Sequence, residues 1–114
     1  MDTVMVMKAL SDGTRFKIIE MLLSKNYCVQ GISRKLGISE SAVSQHIKIL
    51  KEADLLIGTK SSYYVHYDVN RELLKTLSVA IALLSKIERT SEAFYECGHN
   101  CRKKEKCGGA MSLS

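Results

Sequence analysis

The sequence predicts a mainly α-helical domain that carries one small β-hairpin. The chain of 114 residues has the length of a single domain, and its 46% hydrophobic and 25% charged residues are an ordinary globular composition. It contains no proline, so helices can run without proline breaks. Apolar residues recur at helical spacing through most of the chain, whereas β-branched and aromatic residues cluster between positions 55 and 69.

Four helices are predicted before the hairpin, each from apolar residues spaced three or four positions apart. Their expected spans are 3–10, 12–24, 29–36 and 40–53. The predicted inward stripe of the second helix is Phe16, Ile19, Leu22 and Leu23. Gly37 is suited to end the third helix in a left-handed conformation, and Ser39 is suited to cap the fourth. Residues 29–53 therefore predict a helix, a short turn and a second helix.

The hairpin is predicted from two strand-like runs, 55–59 and 63–69, which flank the polar turn Lys60-Ser61-Ser62. Asn70 follows at once and can cap a last helix, which we expect to extend from residue 71 to about residue 96. The chain is thus expected to end its folded part on a long helix.

This last helix is unusually apolar. Its hydrophobic stripe extends from Leu73 to Ile87, and Val79 and Leu83 widen it beyond the face of an ordinary amphipathic helix. Such a helix in a small domain needs a second covering surface, and a second copy of the chain is the simplest supplier. We therefore expect a homodimer in which the first and last helices pack against their mates.

The order of elements is that of a winged helix-turn-helix domain. In such a domain the second helix of the helix-turn-helix motif can enter the major groove of double-stranded DNA. A net charge of +5 favours a polyanionic partner. Serine and glutamine side chains can hydrogen-bond base edges, and lysines contact phosphates. The predicted DNA-contacting residues are Ser39, Ser41, Ser44, Gln45, His46, Lys48, Lys51 and Lys60.

Three segments resemble the ArsR/SmtB family of winged-helix repressors. They are ALSDGTR (9–15), GISESAVSQHI (37–47) and LKEADLL (50–56). The resemblance implies a homodimer that is built on the first and last helices, binds an imperfectly palindromic operator and is released by a metal or metalloid. Two departures concern DNA contacts, because Gln45 stands where arginine is frequent and the wing tip has one cation, Lys60, where members often have more.

The metal sites of that family are poorly matched. The segment Tyr27-Cys28-Val29-Gln30 resembles the thiolate motif at the start of the third helix, but Gln30 replaces its second cysteine. The family's other site uses His and carboxylate ligands on the last helix, yet residues 71–93 contain no His or Asp. Cys28 alone is then most simply a buried small apolar residue.

A cluster of cysteines near the C-terminus is the alternative effector site. Four neighbouring cations, Arg102, Lys103, Lys104 and Lys106, favour the thiolate form, which binds soft ions or reacts with oxidants. Three thiolates suit As(III), and one further ligand would complete a tetrahedral zinc or cadmium site. The candidate metal ligands are Cys97, Cys101 and Cys107, with Cys28 and His99 as additional candidates.

These observations predict a DNA-binding and dimerisation domain over residues 1–96 and a Cys-rich basic tail over 97–114. The expected function is a transcriptional repressor released from its operator by a soft metal or metalloid, with no obligatory cofactor. Three alternatives remain open: a thiol-redox or Fe–S-responsive regulator, an inert reduced tail, and a winged-helix module that binds protein instead of DNA.

Enzymatic and membrane functions are not expected. The sequence has no Gly-rich phosphate loop, H-E-x-x-H pair or G-x-S-x-G elbow. It also has no apolar run of about 18 residues and no secretory signal at its N-terminus. We therefore expect a cytoplasmic protein without a membrane partner.

Overall fold

A computed structural model describes residues 2–61 and 64–90 of the chain. In this part of the chain, five helices and one antiparallel hairpin occur in the predicted order, so the predicted fold class is confirmed. The elements are α1 (Thr3–Leu10), α2 (Gly13–Ser24), α3 (Val29–Leu36), α4 (Glu40–Glu52), β1 (Leu56–Ser61), β2 (Tyr64–Val69) and α5 (Arg71–Leu84).

Every helix begins at a residue whose side chain accepts a hydrogen bond from the backbone N–H three positions further along, which satisfies one of the unpaired donors of the first turn. These capping residues are Asp2, Asp12, Cys28, Ser39 and Asn70. Gly37 ends α3 with φ 69°, a left-handed conformation that glycine adopts without a Cβ clash. The helix boundaries therefore follow from local chemistry.

One hydrophobic core joins the helices to the first strand. Its fully buried side chains are Ile18, Ile32, Val43, Leu50 and Leu55. Ile19 and Leu22 are buried as predicted, but Phe16 is 50% exposed, so its assignment to the inward stripe is wrong. The buried face of α2 is centred on Ile18. Phe16 lies about 200° round the helix from Ile18 and is therefore on the opposite side.

The hairpin is longer than predicted. β1 pairs with β2 in a register that joins Lys60 to Val65 and Ser61 to Tyr64. Lys60 and Ser61 are therefore strand residues, and their assignment to the turn is wrong, because continued pairing satisfies backbone groups that a wider turn would leave open. The connection falls at residues 62–63, outside the described residues.

The last helix is shorter than the predicted span to residue 96. It ends at Leu84, where the Ser85 hydroxyl donates to the Ala82 carbonyl at 2.5 Å and the backbone N–H of Ser85 donates to the same oxygen at 3.0 Å. These contacts tighten the chain into a turn, and residues 87–90 are not helical. Among the described helices none is long and apolar enough to cross a membrane.

Candidate nucleic-acid interface

The turn between α3 and α4 is fixed by short hydrogen bonds. The backbone N–H groups of Gly37 and Ile38 both donate to the Ser33 carbonyl, at 2.9 and 3.2 Å, and the Ser33 hydroxyl donates back to the Ile38 carbonyl at 2.5 Å. Ile32 of α3 and Val43 of α4 are completely buried. The two helices are therefore held at a defined angle. A helix that contacts a binding partner with specificity needs such a fixed orientation.

The outer face of α4 is polar and cationic. Its inward residues, Val43, Ile47 and Leu50, are buried, so the opposite side of the helix faces outward. The exposed residues of this face are Ser41, Ser44, Gln45, Lys48 and Lys51. The arrangement presents hydrogen-bonding groups towards the start of the helix and ammonium groups towards its end.

Ser39 and Ser41 differ from the rest because they already have partners. The Ser39 hydroxyl oxygen accepts from the Ala42 N–H at 3.1 Å, which caps α4, and it lies 3.2 Å from the Ser41 hydroxyl oxygen. Ser39 therefore has a structural role, and the Ser41 hydroxyl is oriented by the cap.

A groove separates the C-terminal half of α4 from the wing, and Lys48, Lys51 and Tyr67 lie along it. A Cβ atom on Gly58 of β1 would lie 3.5 Å from the Lys51 ammonium nitrogen and 3.5 Å from Tyr67 Cε1. These are ordinary van der Waals distances, so Lys51 lies over the strand at Gly58 and would do so with a small side chain there as well. Lys60 is exposed further along β1, outside the groove, and the acidic Glu52 lines the groove beside the two lysines.

His46 points away from the exposed face. Its Nδ1 atom lies 3.4 Å from the Arg15 Nη1 atom and 4.0 Å from Asp12 Oδ2, and its side chain is 23% exposed. Arg15 was not among the residues predicted to take part in the site, although it lies in the segment ALSDGTR. The sequence gives no spacing rule for this contact, because the two residues are 31 positions apart.

The pKa of the Asp12 carboxyl in this cluster is lowered. The backbone N–H of Arg15 donates to the Asp12 carboxylate at 3.0 Å and lowers the pKa of Asp12, and the positive charge of the Arg15 guanidinium lowers it further. Partial desolvation acts in the opposite direction but does not cancel these effects. Asp12 is therefore held in its ionised form.

We expect Asp12→Asn to lower stability at neutral pH and to have little effect in acid. Asparagine also caps helices, so the substitution removes the charge and keeps the cap. Because the folded pKa lies below the ordinary value of 3.8, the charge contributes stability that is present above that value and is lost as the pH falls through the folded pKa. Urea unfolding midpoints of both proteins across this range measure the difference, and a gap that persists unchanged in acid would contradict the expectation.

The candidate metal ligands are not brought together in the described residues. Cys28 is exposed, so its assignment as a buried apolar residue is wrong: its Sγ atom turns to the first turn of α3 and accepts from the Gly31 N–H at 3.4 Å. Cys97, His99, Cys101 and Cys107 lie outside the described residues. Within residues 2–61 and 64–90, no group of three His, Cys, Asp or Glu side chains could hold a metal ion.

A helix-turn-helix whose second helix exposes a polar, cationic face, followed by a two-stranded wing, defines the winged helix-turn-helix class of DNA-binding domains. The sequence profile of "Bacterial regulatory protein, arsR family" matches residues 12–57. The chain is 31% identical over 70 residues to the transcriptional repressor SdpR of Bacillus subtilis. The aligned region covers 61% of this chain and 78% of SdpR. The protein belongs to the ArsR family of bacterial transcriptional regulators.

Two further similarities agree with this assignment. A CadC homolog from Staphylococcus aureus, a cadmium resistance transcriptional regulatory protein, is 35% identical over 68% of this chain and 64% of its own. The structure of reduced HlyU from Vibrio cholerae has a TM-score of 0.57 and 30% identity, and covers 70% of this chain and 85% of HlyU. Because the matching proteins are transcriptional regulators, the expectation that the chain is not an enzyme is confirmed.

Proposed function

We propose that the protein is a homodimeric repressor that binds operator DNA through α4 and the wing in the bacterial cytoplasm. The observation that carries the proposal is the outer face of α4, where Ser44, Gln45 and Lys48 are exposed on a helix whose opposite side is fixed in the core. A helix of this kind presents donors and acceptors that match base edges in the major groove.

The proposed dimer follows from the apolar surface of the two terminal helices. Val4 and Met7 of α1 are 57% and 37% exposed, and Ile81 and Leu84 of α5 are 46% and 64% exposed. Apolar groups in this number on two adjacent helices favour association with a second copy, because burial removes them from water. A two-fold dimer would present two α4 helices to half-sites about 34 Å apart.

We expect Gln45→Ala and Lys48→Ala to weaken binding in different ways. Loss of a bidentate glutamine contact costs about 1 to 3 kcal/mol and relaxes the preference at one base pair. Loss of a phosphate contact weakens binding to all sequences alike. It also reduces the slope of log affinity against log salt concentration by about 1. Glu20→Gln on α2 is the control, because it alters an exposed charge outside α4 and the wing.

The measurement starts from DNA selected by the wild-type full chain out of a random duplex library, followed by titrations of each variant at several salt concentrations. Enrichment of a two-fold symmetric sequence is the expected result. Failure to enrich any sequence, or unchanged affinity of both α4 variants, would favour a winged helix that binds protein instead of DNA.

We further propose that soft metal or metalloid binding by Cys97, Cys101 and Cys107 releases the operator, with Cys28 and His99 as additional candidate ligands. The basic residues beside the three thiols support their thiolate form. Names of relatives also support this class of effector, since one is a cadmium resistance regulator and another is the arsenical resistance operon repressor of Escherichia coli. The candidate ions are As(III), Cd(II) and Zn(II).

Thiol oxidation is the second candidate for the releasing event. The exposed position of Cys28 supports it, since an oxidant can reach that sulfur. Peroxide in the absence of metal would release the operator under this alternative, and an Fe–S cluster would instead give a visible absorption spectrum.

A further inference from the structure

Arg15 connects the first helix to α4 through one half-buried side chain. Its Nε donates to the Ala9 carbonyl at 2.7 Å, and its Nη2 lies 3.5 Å from the Lys8 carbonyl oxygen, both in the last turn of α1. Its Nη1 lies 3.4 Å from Nδ1 of His46, in the middle of α4. A guanidinium is planar and offers five donors in a fixed geometry, so these contacts restrict the position of both helices together.

The contact also defines the hydrogen-bonding state of His46. Arg15 can only donate, so Nδ1 accepts and the proton of the neutral ring is on Nε2. The Asp12 carboxylate lies 4.0 Å from the same nitrogen and fixes the backbone of Arg15 through the cap of α2. Three helices thus meet at this cluster, which contains no residue of the exposed face of α4.

A second connection holds the other end of α4. Asn70, which caps α5, donates from its side-chain amide to the Asp54 carbonyl at 3.0 Å, just beyond the C-terminus of α4. α4 is therefore tied to α1 near its middle and to α5 at its end. If the first connection is lost, α4 keeps its connection to α5 and its turn with α3, so any change in its place relative to α1 involves α3 and α4 together.

We infer that Arg15 is a positioning residue that sets the spacing of the two half-sites without touching DNA. This inference rests on the proposed function, in which α1 forms part of the dimer interface and α4 reads the major groove. The separation of the two reading helices fixes the half-site spacing. Because Arg15 sets the place of α4 relative to α1, it sets the distance from each α4 to the two-fold axis.

The first test needs no DNA. Residual dipolar couplings of the full chain in solution measure the angle between α1 and α4 in wild type, Arg15→Gln, His46→Leu and His46→Gln. We expect the angle to change in the first two variants and to be retained in His46→Gln, whose amide oxygen can still accept from Arg15. Lys17→Gln, which removes an exposed charge on the same helix, should leave it unchanged.

Imidazole nitrogen shifts provide an independent signature in the same samples. We expect neutral His46 to be the Nε2–H tautomer in wild type and to lose this bias in Arg15→Gln. If Arg15→Gln unfolds the chain, the two His46 variants still decide between a positioning role and none. A folded Arg15→Gln or His46→Leu protein with the wild-type angle would overturn the inference.

The second test uses the duplex selected by the wild type, with its half-sites moved apart or together one base pair at a time. We expect the affinity ratio between the best and the next spacing to fall about fivefold or more in Arg15→Gln, the lower range of typical coupling strengths. Lys48→Gln should weaken all spacings and keep the ratio. A wild type that selects no two-fold sequence would overturn the proposed function and the spacing role together, whereas a normal operator with an unchanged ratio would overturn the inference alone.

Discussion

Ile81→Glu is expected to convert the protein into a folded monomer that loses operator affinity by about 100-fold or more, because two linked half-site contacts become one. Ile81 is 46% exposed in the single chain, so a glutamate there is solvated in the monomer. In the proposed dimer the same carboxylate would be buried without a partner, which is costly. The substitution therefore acts on association and leaves the fold of the subunit intact.

The structure separates this position from its neighbour on the same stripe. Leu77 is only 6% exposed and packs in the core of its own chain, so Leu77→Glu is expected to unfold the subunit. Lys75→Glu is the control for Ile81→Glu, because Lys75 is exposed and lies about 120° round α5 from Ile81, on the polar side of the helix that also carries Ser78. Both variants add one glutamate to the same helix.

Sedimentation at micromolar concentration measures the subunit state, and circular dichroism measures the fold. Wild type and Lys75→Glu should sediment as dimers, and Ile81→Glu as a monomer with wild-type helix content. A wild-type monomer, or an Ile81→Glu dimer, would contradict the proposed interface.

Local chemistry made much of the fold predictable. Ser39, Gly37 and Asn70 are residues whose capping or left-handed preference acts within three positions, and each occupies the boundary that the sequence predicts. The inward face of α4 was equally predictable, because helical periodicity distinguishes its apolar from its polar positions. These signals require no knowledge of distant segments.

Three features were missed, and only the second of them depends on a distant segment. The end of the last helix was placed too late, because its apolar stripe continues past Leu84. Serine at position 85, whose hydroxyl bonds the Ala82 carbonyl at the turn, is not a residue that by itself predicts a helix end. The orientation of His46 depends on Arg15, which only the folded chain brings near. Cys28 was predicted to be buried because free cysteines usually are, whereas this cysteine is exposed because it caps the start of α3.

Replacing any one of Cys97, Cys101 or Cys107 by serine is expected to abolish release of the operator by As(III), while binding in the absence of metal is unchanged. A three-thiolate site loses a ligand that serine does not replace for a soft ion. Binding of an effector typically changes DNA affinity by about 5- to 150-fold, and the variants should lose that factor. Titrations of the selected duplex with and without As(III), Cd(II) and Zn(II) measure it.

Cys28→Ser is a control that the fold itself supplies. Serine is a preferred N-cap, so its hydroxyl can accept from the Gly31 N–H as the Cys28 sulfur does, and the substitution removes the thiol without removing the cap. If Cys28→Ser also abolishes release, Cys28 is a ligand or a redox partner of the tail cysteines. Peroxide then separates these two roles, because oxidation forms a disulfide that dithiothreitol reverses without any metal. If all four variants release the operator normally with every metal and with peroxide, the cysteines have no part in regulation and the effector acts elsewhere on the domain.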